Sequence, residues 1–206
     1  MKKNDKIIDW AIRLQSLAQA GLTYDKDKFA QERYEEIRTI AAEMMSEKSG
    51  LPIEKVKNLF CNEVGYQTPK IATRAAIFKN DQILLVQEND GSWSMPGGWC
   101  EVNLSPAENC VKETKEESGL DVKVERLIAV HDLNKHSKPL YPYGVCEIFF
   151  LCEAEGGHFT ENIETKACRY FSLDQLPSMS DDKGSKEQAR LCFEAYHDPN
   201  WQTDFD

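Results

Sequence analysis

Between Gly97 and Leu120 the sequence prescribes a loop, a helix and a stop with so little latitude that the rest of the fold must be arranged around them. Gly97-Gly98 allows backbone to approach a neighbour closely. Ser105 is an N-cap with Pro106 at the first helical position and Glu108 three residues after the cap, and Gly119 ends the helix that starts there. On that helix Glu113, Glu116 and Glu117 stand at i, i+3 and i+4, so their carboxylates share one face. Three like charges at that spacing repel one another unless a cation binds them, and hard divalent ions prefer oxygen ligands. An isolated E-x-x-E-E is more often a solvated acidic face. The flanking glycines are what move the reading towards a metal site.

The chain on either side divides by texture near residue 66. Before it, apolar positions at Ile7, Trp10, Ala11, Leu14, Leu17 and Ala18 predict one buried helical face ending near Gly21. A second stripe, Ala30, Tyr34, Ile37, Ala41 and Met44, predicts a helix stopped by Lys48-Ser49-Gly50, and Pro52 opens a short third helix through Val56 and Leu59. Residues 1–66 therefore read as a helical domain and residues 67–206 as a second, β-rich one. In the second, Ile71 to Phe78 and Ile83 to Val86 are strand-like runs joined by the hairpin signal Lys79-Asn80-Asp81. Val122 to Val130, Glu147 to Cys152 and Cys168 to Phe171 read as further strands, and Lys186 to Tyr196 as a closing helix.

A formal net charge of −10 argues against a general nucleic-acid or anionic-membrane surface, since a wide negative field repels phosphate polymers. It leaves a small phosphorylated substrate open, because a bound metal reverses the field inside one cleft. The seven cysteines are scattered without a C-x-x-C pair and read as reduced, mostly core thiols. Asp9 and Arg13 interrupt what a signal peptide would need as its apolar stretch, no run is long enough to span a bilayer, and the cytoplasm is the expected location.

The segment Gly98-(x5)-Leu104-(x7)-Lys112-Glu113-Thr114-Lys115-Glu116-Glu117-Ser118-Gly119-Leu120 resembles the Nudix box, G-x5-E-x7-R-E-U-x-E-E-x-G-U. Its flanks, Trp93-x-x-Pro96-Gly97-Gly98 and the Arg169 to Pro177 stretch, are similar to the same family, and the resemblance covers roughly Lys70 to Tyr196. It implies an α/β Nudix fold, a mixed β-sheet sandwiched by helices, beside the small all-α N-terminal domain. It also implies that the Gly98 carbonyl and the carboxylates of Glu113, Glu116 and Glu117 hold Mg²⁺ or Mn²⁺, and that Lys112 serves them. Glu164, with Glu161 as runner-up, is implied as the general base or an extra ligand; a loop glutamate is as often an idle surface residue. Two departures stand out. Leu104 removes the first glutamate, for which Glu101 partly substitutes, and Lys112 keeps the charge of the usual arginine without its planar fork. Asn103 and Thr114 are milder deviations.

For substrate recognition, Lys135 and His136 are candidates to meet a phosphate, and Tyr143, with Tyr141, to stack on a base. Each of these alone is more often an ordinary surface or core residue. The N-terminal segments Leu17 to Tyr24 and Glu32 to Glu35 resemble the extension of a bacterial Nudix subfamily labelled ADP-ribose pyrophosphatase, some members of which cleave CDP-choline. The proline that marks many ADP-ribose hydrolases after the box is absent, so the expectation is hydrolysis of CDP-choline or a related CDP-alcohol, with ADP-ribose as the alternative. Pairing through the N-terminal helices, giving a homodimer, is expected. An RNA-processing hydrolase and a non-catalytic nucleotide-sensing regulator are the competing classes. The intact acidic trio opposes the regulator. With eleven acidic and eleven basic residues, segment 1–66 has no basic stripe for DNA.

Overall fold

The computed structural model describes residues 6–136, 144–180 and 183–206, which fall into two compact units, one before Lys70 together with Gly144 and one from Lys70 onward. The first unit holds helices α1 (Lys6–Tyr24), α2 (Lys28–Ser49) and α3 (Ile53–Phe60). The Asp27 carboxylate accepts the Ala30 N–H at 2.9 Å to start α2, and Gly50, at φ 68°, closes it. Ala11, Ala41, Ala42, Met45, Val56 and Phe60 form the unit's core.

Helix α1 departs from the expectation twice. It runs through Gly21 to Tyr24, because Gly21 is a packing position: a Cβ there would run into the Tyr34 ring. Its buried positions are Ala11, Gln15, Ala18 and Gln19, whereas Trp10 and Leu17 are 49% and 66% exposed. The glutamines are affordable inside because they are bonded: Gln15 donates to Gln19, and Gln19 donates to the Gly65 carbonyl at 2.9 Å. Trp10, Arg13, Leu14 and Leu17, with Met44 of α2, line an open apolar groove.

The second unit is built on a mixed seven-stranded sheet: β1 (Lys70–Lys79), β2 (Gln82–Glu88), β3 (Trp93–Ser94), β4 (Leu120–Asp132), β5 (Val145–Gly157), β6 (Thr165–Phe171) and β7 (Asp204–Phe205). The order is β3-β2-β1-β5-β4-β7, with β6 on β2; β1 runs parallel to β5 and antiparallel to β2. Asn80 and Asp81 both take positive φ, 51° and 58°, the mirror-image turn that matches the twist of a two-residue hairpin. Helix α4 (Pro106–Ser118) covers one face, with Cys110 on Ala75, Ile77, Leu84 and Phe150. Helix α6 (Lys186–His197) covers the other, with Cys192 and Phe193 on Ile83, Leu85, Ile128 and Phe149. Leu84 and Leu85 face opposite ways, as the pleat requires. This is the sandwich the resemblance implied. All seven cysteines are free thiols.

Candidate active site

The loop that leads into α4 lies along β1 through its backbone. Ala75 N–H donates to the Pro96 carbonyl at 2.8 Å, Thr73 N–H to the Gly98 carbonyl at 2.9 Å, and Cys100 N–H to the Ile71 carbonyl at 2.8 Å. Gly97 sits at φ 145°, and a side chain on it would strike the Thr73 carbonyl. Only glycine fits. A Cβ on Gly98 would strike the Glu113 carboxylate, which rests against that residue. The Gly98 carbonyl spends one lone pair on Thr73 and keeps the other.

Helix α4 is entered through a full capping box, Ser105 with Glu108, and left at Gly119, φ 72°. Buried Asn109 fastens it: its amide donates to the Thr73 hydroxyl at 3.1 Å, and its carbonyl accepts Glu101 N–H at 3.1 Å. Thr114, where the family prefers an aliphatic residue, is buried at no polar cost because its hydroxyl donates to the Cys110 carbonyl.

The three box glutamates occupy different environments. Glu117, 6% exposed, accepts the Gly97 N–H at 2.8 Å. Burial pushes its carboxyl up to about 7, opposed by the Gly97 hydrogen bond and the charge of Arg74, while Glu88 adds to the rise and Lys183 opposes it. Glu113 is also raised, first by burial, with Lys112 opposing and Glu116 and Glu164 contributing. Glu116 is paired to Lys112 at 2.5 Å. Lys112 reaches Glu101 at 3.3 Å and Glu113 at 3.4 Å as well, so one ammonium gathers three carboxylates. Glu116, chiefly, raises the Lys112 pKa above the ordinary lysine value.

Glu164 is delivered to the same place. Asn162 accepts the N–H groups of Glu164 and Thr165, each at 2.9 Å, and donates to the Glu116 carbonyl at 3.0 Å; the Thr165 hydroxyl donates to the Glu117 carbonyl at 2.7 Å. The loop is thereby pinned to the last turn of α4, and the charge of Glu164 is felt at Glu113. Glu161 lies exposed in the same loop. Lys135 and His136 fall on a four-residue helix, α5 (Leu133–His136), at the end of β4. His136 stacks on His131, 4.1 Å between centroids, and meets Asp206 at 3.0 Å. Among the described residues no hydrogen bond or ion pair joins either to the acidic trio. Tyr143 and Tyr141 lie outside the described residues.

The sequence reading did not nominate the buried polar chain behind the loop. Arg74, 5% exposed on β1, donates to the Gly97 carbonyl and to Glu147 of β5 at 2.9 Å. Gln188 of α6 donates to Glu147 at 3.2 Å and lies 3.3 Å from His131, which in turn meets Asp204 at 2.9 Å. Burial alone would lower the Arg74 pKa, but Glu147 chiefly raises it on balance. The visible signal was a charge within each of two apolar strand runs.

Among the described residues no three His, Cys, Asp or Glu side chains converge into a ready-made cage. The donors nevertheless suit a hard divalent ion. They are all oxygens, Glu113 lies against Gly98, and Glu117 is buried with one oxygen committed to Gly97. Mg²⁺ in particular keeps several waters and takes substrate phosphates as ligands, so a full protein cage is not required.

Residues 68–192 match the NUDIX domain, and residues 5–60 match a domain described as UDP-X-like, N-terminal oligomerisation domain. Over 207 aligned positions the chain is 44% identical to a Bacillus subtilis (strain 168) protein provisionally named an ADP-ribose pyrophosphatase, YjhB, covering all of both chains. A Streptococcus suis 89-1591 crystal structure described as an ADP-ribose pyrophosphatase is 51% identical over 68% of this chain and 100% of its own, with a TM-score of 0.63. A crystal structure of a UDP-X diphosphatase is 36% identical over 99% of this chain and 100% of its own, with a TM-score of 0.64.

Proposed function

We propose, on the premise that this chain belongs to the Nudix hydrolase family, that it cleaves the diphosphate of CDP-choline or a related CDP-alcohol with Mg²⁺ or Mn²⁺. The coarser statement needs no proposal: the chain is a Nudix pyrophosphohydrolase acting on nucleoside diphosphate-linked substrates. The observation that carries the site assignment is the convergence of Gly98, Glu113 and Glu117 behind a glycine loop that tolerates no side chain at 97.

In this reading the Gly98 carbonyl, Glu113, Glu116 and Glu117 hold the ion, which when bound neutralises and orients the diphosphate and acidifies a water. Gly97 N–H fixes the Glu117 carboxylate, and Lys112 draws Glu113 and Glu116 together while compensating their repulsion. Glu164, exposed and tethered beside Glu113, takes the proton of the attacking water. Phosphoryl transfer needs chiefly positioning and charge stabilisation, which this arrangement supplies without a covalent intermediate. ADP-ribose is the second reading, favoured by the names that two of the relatives carry. Pairing of two copies through the N-terminal helices fits the oligomerisation label of residues 5–60, and no described helix is long and apolar enough to cross a membrane. We place the enzyme in the cytoplasm.

The test is release of CMP, AMP or UMP from CDP-choline, ADP-ribose and a UDP-sugar, each with Mg²⁺, Mn²⁺ or EDTA. Metal-dependent CMP release at the highest kcat/KM supports the proposal. Preference for ADP-ribose moves the second reading to the front, and no cleavage of any of the three defeats both.

A further inference from the structure

Three cations act on the acidic trio, and they differ in what they have left to give. Arg74 is buried and committed to Glu147 and the Gly97 carbonyl. Lys112 faces three carboxylates with its three N–H donors. Lys183 is different. Its Nζ donates to Glu88 at 2.8 Å, its side chain is 40% exposed, and among the described residues nothing else takes its two remaining donors.

The position of Lys183 is built. Glu88, at the end of β2, is itself mostly buried and held by the Ser94 hydroxyl at 2.8 Å. The segment before Lys183 is tied to β3 on both sides of Trp93: Trp93 N–H donates to the Ser178 carbonyl at 3.0 Å and Ser180 N–H to the Trp93 carbonyl at 2.9 Å. The next residue, Gly184, at φ 106°, packs on Met95, so a Cβ there would come within 3.0 Å of the methionine methyl. Ser94 and Met95 lead directly into Pro96-Gly97-Gly98. Lys183 is thus anchored beside the loop that holds Glu117, near enough for its charge to act there.

We infer that Lys183, steered by Glu88 and Ser94, is a substrate-binding residue that grips the diphosphate of the nucleotide on the Glu117 side of the site. This rests on the hydrolase reading above. An ammonium can keep its bond to Glu88 and offer two donors to phosphate oxygens. Glu88 also keeps the uncompensated charge low while the site is empty of substrate.

The experiment compares wild type, Lys183→Met and Lys183→Arg in steady-state hydrolysis of the preferred substrate, with inorganic pyrophosphate as competitive inhibitor and a metal titration of each protein. Losing a charged hydrogen bond to phosphate should lower kcat/KM about ten- to a hundred-fold, chiefly through KM, and weaken pyrophosphate inhibition in parallel. The arginine variant should keep most of both, and the metal activation constant should stay at the wild-type value. An active Lys183→Met protein with wild-type KM and pyrophosphate inhibition overturns the inference; so does a loss confined to metal activation, which would mean that Lys183 acts only through Glu117. Should Lys183→Met fail to fold, Lys183→Gln takes its place. If wild type cleaves nothing, the hydrolase reading falls first, and calorimetric titration of Mg²⁺-pyrophosphate into wild type and variant still decides: equal affinity sinks Lys183.

Discussion

Replacing Glu117 with glutamine separates folding from chemistry, because the structure gives the two effects opposite signs. The side chain is 6% exposed, and one oxygen accepts the Gly97 N–H, a bond that a glutamine carbonyl can also accept. With its carboxyl raised from the ordinary 4.5 to about 7, the folded protein without metal holds a proton that the unfolded chain has released. Stability therefore falls as pH rises between those two values and is level above them. At about 1.4 kcal/mol for each decade, the buried charge costs roughly 3 kcal/mol above pH 7. Glu117→Gln resembles the protonated form and carries no such cost. In EDTA at pH 8 the variant should melt above wild type by up to about 6–12 °C, at ~2–4 °C per kcal/mol for a chain of this size, and the gap should close near pH 4.5. Adding Mg²⁺ should raise the wild-type Tm and leave the variant unmoved, since the ion binds the charged form. Turnover should fall by at least about 100-fold, the usual scale for removing a charge aimed at the transition state. Melting curves from pH 4 to 8 with and without metal, beside nucleotide release, decide it. A variant less stable than wild type at pH 8 in EDTA, or one with full turnover, refutes the reasoning.

Gly98→Ala should drive the new methyl against the Glu113 carboxylate and raise the metal concentration for half-maximal activity about tenfold or more, with a smaller effect on Tm; an unchanged metal titration would detach Glu113 from the site. Arg74→Met leaves Glu147 buried with the Gln188 hydrogen bond but without its charge partner and should cost about 3–5 kcal/mol in urea unfolding, most of it recovered in the Arg74→Met, Glu147→Leu double variant, which should still show impaired turnover because the Gly97 carbonyl has lost its donor. Glu164→Gln should lower kcat about 100- to 1000-fold with KM and metal activation near wild type, as removal of a general base does; a loss carried by metal activation would instead make it a ligand.

What could be read from the sequence was local. The hairpin at Asn80-Asp81, the capping box of Ser105 and Glu108 and the stop at Gly119 depend on residues within one turn of each other, and each stands where the spacing put it. The glutamate face followed from the same helix geometry, and Asn162 brings Glu164 to it. Misreadings arose where distant chain decides. Gly21 looks like a stop until the Tyr34 ring is seen against it, and the apolar stripe of α1 leaves out Gln15 and Gln19, which are buried because Cys61 and Gly65 arrive as partners. The link between Arg74 and Glu147 spans 73 residues and depends on the parallel register of β1 and β5, in which Ala72 faces Glu147. Lys183 went unnoticed for the same reason: its partner, Glu88, lies 95 residues away.

The attachment of the Glu164 loop to α4 uses the Glu116 and Glu117 carbonyls, which a helix end leaves without intrahelical partners. In the proposed reading the two box glutamates therefore bind with their side chains while they anchor with their backbones, and the candidate base is borne by the same rigid body as the candidate ligands. Strands β4 and β5 lie between Gly119 and Asn162 and are held in register by the sheet, but the connection from β4 to β5 takes no part in that attachment, so its length does not set the reach from base to ligand. Insertions there are a route by which a scaffold of this kind can acquire new leaving-group preferences while its chemistry stays in register.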